Sequence, residues 1–168
     1  MKTNGAFSIF LVDDDKMFLR SLEHHLQQKL KHSVNIKSFP TGEECLKEMG
    51  KQKPNIVVLD YLLNGNYMYA MDGMSVLQKI KQAEPDTTVI MLSAQERMDL
   101  AIDVMKYGAY DYVIKNDNTL YKTQNAIRNA IFSISLAKKN KVYKLLIQLI
   151  FIIIAVIFGT VLIIRLAS

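Results

Sequence analysis

The stretch Asn55-Ile56-Val57-Val58-Leu59-Asp60 decides how the rest of this chain is read. Its apolar run, Ile56 to Leu59, is too short for a helix, and Pro54-Asn55 before it and Asn64-Gly65-Asn66 after it are turn signals. Such a run predicts a strand buried on both faces, which belongs in a parallel sheet covered by helices. Asp60 then stands where the strand leaves its carboxyl edge, the place where open α/β sheets hold their chemistry. A carboxylate is costly to bury there unless it has a partner or a task.

Working outward, Phe7 to Val12 reads as a first strand, broken by Asp13-Asp14-Asp15. A helix from about Lys16 to Lys31 repeats apolar residues at Phe18, Leu22, Leu26 and Leu30, a stripe that packs on a sheet. Val34 to Phe39 is a second strand, and Thr41 with Glu44 forms a capping box for a short helix through Met49. Met74 to Ala83 predicts a third helix, stopped near Pro85, and Thr88 to Leu92 a fourth strand closing on Ser93-Ala94. A helix from about Gln95 to Tyr107 ends at Gly108, a suitable C-cap. Tyr112 to Ile114 is the core of a fifth strand ending at Lys115, and Leu120 to about Ala137 a fifth helix. Strict β/α alternation gives a doubly wound, five-stranded parallel sheet.

Charge divides the chain. Of 168 residues with net charge +5, the stretch 138–168 holds Lys138, Lys139, Lys141, Lys144, Arg165 and no acid. The remainder, 1–137, therefore carries 16 basic and 16 acidic residues, which gives no argument for nucleic-acid binding. Leu145 to Ile164 then supplies 20 residues without a charge, apolar all round. As a helix it spans about 30 Å, the thickness of a bilayer core. The expectation is a single transmembrane helix over 145–164, preceded by a basic juxtamembrane linker at 137–144. The lysines ahead of it place the N-terminal domain on the cytoplasmic side of the cell membrane. Ala155 and Gly159 form a small-xxx-small pair through which two spans could approach, a possible homodimer. Cys45, the only cysteine, rules out an intrachain disulfide and suits a small buried position. His24 and His25 read as surface histidines on the first helix.

Ends of strands one, three, four and five bring Asp13-Asp14-Asp15, Asp60, Ser93 and Lys115 to one edge. Converging carboxylates repel unless a cation lies between them, and hard oxygen donors suit Mg²⁺. A cation also lowers the repulsion met by an incoming phosphoryl group. Lys115 adds a second positive charge, Ser93 a hydroxyl donor, and Asp60 a nucleophile able to become an acyl phosphate.

Val12-Asp13-Asp14-Asp15, Val58-Leu59-Asp60, Met71-Asp72-Gly73, Met91-Leu92-Ser93-Ala94 and Tyr110-Asp111-Tyr112-Val113-Ile114-Lys115 together resemble the signatures of the two-component response-regulator receiver domain. The resemblance covers about residues 6–136 and implies the flavodoxin-like receiver fold. It implies Asp60 as phosphoacceptor from a histidine kinase or phosphotransfer protein. Asp14 matches the direct Mg²⁺ ligand, Asp13 the water-mediated one, and the Leu62 backbone carbonyl a further ligand. Ser93 and Lys115 match the phosphate-binding hydroxyl and ammonium, Tyr112 the aromatic switch residue, and Ala94 a small neighbour that leaves the site open. Self-phosphorylation and self-dephosphorylation are implied, without turnover of a separate substrate.

Two stretches depart from the family pattern, the loop after Asp60 and the residue after Lys115. Asn64 stands where a proline is usual, and Gly73 comes about five residues late, so Asn66 to Ala70 lengthens the loop after Asp60. Asn116 replaces the proline that usually follows the lysine, and without it a trans bond is favoured by about 2.5–4 kcal/mol. Other functions fit less well. An aspartyl-nucleophile phosphohydrolase needs a second acid two residues after the nucleophile, where Leu62 stands. A flavin or nucleotide binder needs glycines and hydroxyls after strand one, not three acids. A phosphorylation-independent interaction module is compatible with the same residues. The expected function is a membrane-tethered switch acting through protein contacts with a downstream partner.

Overall fold

Alternation of buried strands with one-sided helices produces the architecture. A computed structural model describes residues 7–30, 34–63 and 71–167, with the backbone alone from 154 onward. In chain order the elements are β1 (Phe7–Val12), α1 (Lys16–Leu30), β2 (Val34–Phe39), α2 (Gly42–Met49), β3 (Ile56–Asp60), α3 (Gly73–Ala83), β4 (Thr88–Ser93), α4 (Met98–Lys106), β5 (Asp111–Ile114) and α5 (Thr119–Ala167). All strand pairs are parallel, in the order β2-β1-β3-β4-β5. The chain divides into two units, Met1–Ala130 and Ile131–Ser168, and the sheet belongs to the first.

The central strands β1 and β3 are buried along their whole length, as the apolar runs require. Phe10, Val12, Val57, Leu59, Val89 and Met91 share a core with Val76, Leu77 and Ile80 of α3 and Leu100 and Val104 of α4. Their neighbours along each strand face the opposite side, by the two-residue period of a strand. There α1 buries Leu19, Leu22 and Leu26, and the first turns of α5 bury Ala126, Ile127 and Ala130. His25 of α1 and Gln124 of α5 meet at 2.8 Å, so the histidine links two helices. Cys45 is fully buried, and burial pushes its thiol up to about 12, so it stays protonated.

Caps set the helix starts. Thr41 accepts the Glu44 N–H at 3.3 Å, and Asp72 accepts the Ser75 N–H at 2.7 Å. Gly73 has no room for a side chain: a Cβ there would lie 2.2 Å from the Asp60 carbonyl oxygen. The start of α3 thus packs directly on the end of β3. Gly108 ends α4 in the left-handed region, with φ 92°.

Two boundaries differ from the sequence expectation. The fourth helix begins at Met98, not near Gln95, because the Gln95 backbone is bonded elsewhere: its N–H to Ser93 Oγ and its carbonyl to Tyr112. The fifth does not stop near Ala137 but is helical to Ala167, taking in residues 137–144. That stretch holds lysines, which favour helix, and neither Gly nor Pro. Among the described residues no helix is long and apolar enough to cross a membrane. The side chains of 154–164, the C-terminal half of the expected span with the Ala155–Gly159 pair, lie outside the described residues. So do Asn64 to Ala70 of the lengthened loop.

Candidate functional site

Backbone hydrogen bonds carry the strand ends to one place. The Asp13 N–H donates to the Phe39 carbonyl at 3.2 Å, the Tyr61 N–H to Leu92 at 2.8 Å and the Lys115 N–H to Ser93 at 2.7 Å. Each strand end is therefore tied to its neighbour at or just past its last residue, and the residue identities there decide the chemistry.

Asp13 and Asp60 are 1% and 4% exposed, yet both are carboxylates. The Lys115 ammonium bridges them, 2.7 Å from Asp13 Oδ2 and 2.9 Å from Asp60 Oδ1. Asp13 Oδ1 also accepts the Asp15 N–H at 3.0 Å. Asp14 is half-buried, and carboxylate oxygens of Asp13, Asp14 and Asp60 lie within 4.8 Å of one another.

One ammonium stands beside a cluster of three carboxylates, and with all of them ionised these four groups together carry two negative charges. Burial, then the charge of Asp13, pushes the Asp60 carboxyl up to about 6 against the pull of Lys115. Burial likewise raises the Asp13 carboxyl despite Lys115. Burial draws the Lys115 ammonium down, but Asp60 and Asp13 outweigh it and hold it above its ordinary value. The shifts agree: two carboxylates hold the cation, whereas Lys115 only partly offsets the burial of Asp13 and Asp60. Three hard oxygen donors with unbalanced charge fit a divalent cation such as Mg²⁺.

Ser93 is buried at the end of β4, and its Oγ accepts the Gln95 N–H at 3.1 Å, which leaves the hydroxyl hydrogen to donate. Tyr112 is half-buried, and its hydroxyl donates to the Gln95 carbonyl at 2.6 Å. Both residues therefore converge on the backbone of one residue, Gln95, in the loop before α4. Leu62 is exposed in the loop that leaves β3, and Ala94 is exposed beside Ser93.

Asp15, the third acid of the run, stands apart from this cluster. Its Oδ1 accepts the Met17 and Phe18 N–H groups at 2.8 and 3.1 Å, making it the N-cap of α1. Its place just ahead of the apolar stripe was the available signal. Phe18 belongs to the apolar stripe expected to pack on the sheet, yet it is half-buried and its ring centroid lies 4.9 Å from Lys115 Nζ. Beyond Lys115 the chain turns on Asn116, whose side chain accepts the Asn118 N–H at 3.0 Å and whose own N–H reaches Thr119 Oγ1 at 2.6 Å. No cis peptide occurs among the described residues.

The model of the response regulator receiver domain matches residues 9–125. Chemotaxis protein CheY of Listeria monocytogenes is 32% identical over 105 residues, covering 62% of this chain and 83% of that protein. Regulatory protein LuxO of Vibrio cholerae is 31% identical over 100 residues, covering 58% of this chain and 21% of LuxO. The matched region thus spans about a fifth of that relative's length. The signal receiver domain of a LuxO repressor protein from Vibrio parahaemolyticus superposes with a TM-score of 0.70 at 22% identity, covering 79% of this chain and 95% of that one. That likeness speaks for the fold.

A buried acid whose pKa is raised in the fold stabilises it only while protonated. For Asp60 the cost of ionisation is absent below about pH 3.8, grows as pH rises and is complete above about 6. Asp60→Asn removes that cost, so without divalent cations the variant gains stability near neutral pH. The upper limit is about 3 kcal/mol, two pKa units at about 1.4 each. Urea denaturation at neutral pH and near pH 4 measures the difference, which should shrink at the lower pH. A variant no more stable than wild type at neutral pH contradicts this electrostatic account.

Proposed function

The chain belongs to the response regulator receiver domain family, and from that premise we propose that Asp60 accepts a phosphoryl group and sets a signalling switch tethered to a membrane. The observation that carries the reading is the Lys115 ammonium between Asp13 and Asp60, with Asp14 completing a carboxylate cluster. A receiver of this family takes its phosphoryl group from a histidine kinase or phosphotransfer protein.

An Asp60 carboxylate oxygen attacks phosphorus; the new O–P bond forms as the bond to the donor breaks. The bonding pair leaves with the donor, a histidine imidazole or, for a small donor, acetate. Asp13, Asp14, Asp60 and the Leu62 carbonyl would hold Mg²⁺, which when bound offsets carboxylate repulsion and draws charge from the phosphoryl oxygens. Lys115 turns one of its N–H donors to a phosphoryl oxygen, and Ser93 donates its hydroxyl hydrogen to another. Ser93 already accepts from Gln95, and Tyr112 donates to the same residue. A pull on Ser93 therefore reaches the loop before α4 and Tyr112 through the Gln95 backbone. Where a phosphohydrolase needs a second acid to drive turnover, this chain has the apolar, exposed Leu62.

The tether rests on the tail. Residues 145–164 hold no charge, and the backbone is helical to Ala167. Leu145, Leu146, Ile147, Leu149, Ile150 and Phe151 are all about half exposed or more. Successive helix residues turn by about 100°, so these side chains circle the axis and a one-sided packing surface is not their purpose. Lys138, Lys139, Lys141 and Lys144 ahead of them favour the cytoplasmic side, each adding about 1 kcal/mol at an anionic surface.

With Mg²⁺ and acetyl phosphate, intact-mass measurement of the full chain should show one added phosphoryl group, absent in Asp60→Asn. Equal modification of both proteins overturns the assignment. For the tether, the full chain should stay with membranes in high salt and leave them only in detergent. A fragment of residues 1–137 should remain soluble and phosphorylate at a similar rate. Release of the full chain by salt alone would place the tail on the surface or elsewhere.

A further inference from the structure

The Lys115 ammonium has a third neighbour besides its two carboxylates. The Phe18 ring centroid lies 4.9 Å from Nζ, inside the distance at which an aromatic face attracts a cation. The backbone that carries the ring is fixed. The Phe18 N–H donates to Asp15 Oδ1 at 3.1 Å, so the cap of α1 fixes its turn of helix. Leu19, Leu22 and Leu26 bury the adjoining face, which sets the rotation of α1 about its axis. An apolar position on a helix stripe needs only volume, and leucine would serve. Here the ring faces the site's only described ammonium.

We propose that Phe18 is a positioning residue for phosphoryl transfer: its ring fixes where the Lys115 ammonium meets Asp60 and the incoming phosphoryl oxygens. This rests on the reading of Asp60 as phosphoacceptor. Lysine carries a flexible four-carbon stem, so its charge must be held from more than one side. An ammonium has three N–H donors, and Asp13 and Asp60 take two of them. A carboxylate at position 18 would claim the third and add a negative charge to a cluster that already has an excess. An aromatic face attracts the charge without offering an acceptor oxygen. The third N–H then stays directed at the phosphoryl group, and the ring keeps the stem from swinging toward solvent.

The test uses the full chain with Mg²⁺ and beryllofluoride, a phosphoryl analogue, read by tyrosine fluorescence since the chain has eight tyrosines and no tryptophan. Phe18 is replaced by leucine, by tyrosine, and by phenylalanines carrying one to three ring fluorines, which keep the shape and drain the negative face. Beryllofluoride affinity should fall about 2- to 5-fold in Phe18→Leu, the range an exposed cation–π contact supports. It should fall stepwise with fluorine number and be retained in Phe18→Tyr, while affinity for Mg²⁺ alone changes less. Affinity independent of fluorination, or a Phe18→Leu variant equal to wild type, overturns the proposal. So does a parallel loss of Mg²⁺ affinity, which a purely structural role would produce. Failure of the wild-type chain to bind beryllofluoride overturns the phosphoacceptor reading, and this inference with it.

Discussion

A single ammonium group stands between the buried carboxylates on which this structure turns. Lys115 Nζ lies 2.7 Å from Asp13 and 2.9 Å from Asp60, both almost fully buried. Ionised acids in such a position are held only by a partner of opposite sign. The compensation is incomplete, since the Asp60 carboxyl is pushed up to about 6 despite the lysine. The site is therefore left in want of positive charge. Such a site attracts a divalent cation and, once that charge is in place, tolerates a phosphoryl group.

The fold's contribution is to make that arrangement rigid. A parallel sheet places all strand ends of one polarity at the same edge, and main-chain bonds run from Tyr61 to Leu92 and from Lys115 to Ser93. Gly73 lets α3 start against the Asp60 carbonyl, so the Asp60 backbone is confined from behind. Asn116 and Thr119 close the turn after Lys115 by their own hydrogen bonds, without the ring of a proline. Rigid backbone at each end leaves the long lysine stem as the adaptable part, and Asp13, Asp60 and Phe18 surround its charge.

Most of this was legible in the sequence because strands buried on both faces are continuous apolar runs. β1, β2 and β3 have the expected ends, and the acids, Ser93 and Lys115 follow from where those runs stop. Less legible was anything set by one side chain's choice of partner. Asp15 stands in the same acidic run as Asp13 and Asp14, but it caps α1. Phe18 fell on an apolar stripe and was read as core, since periodicity reports burial and not what an aromatic face meets. The start of α4 differs because Ser93, two residues away, and Tyr112, on the next strand, take up the Gln95 backbone. The long α5 escaped because a composition change at Lys138 looked like a boundary, although nothing in that stretch breaks a helix.

The division of labour between metal and ammonium is the central claim, and Mg²⁺ affinity of wild type, Lys115→Ala and Asp14→Ala tests it most directly. Lys115 competes with a metal for Asp13 and Asp60, whereas Asp14 supplies one of the three carboxylates. Titration of the unphosphorylated full chain, followed by tyrosine fluorescence, should give Lys115→Ala an affinity equal to or above wild type. Asp14→Ala should bind far more weakly. A loss of Mg²⁺ affinity in Lys115→Ala as large as that in Asp14→Ala would contradict the account.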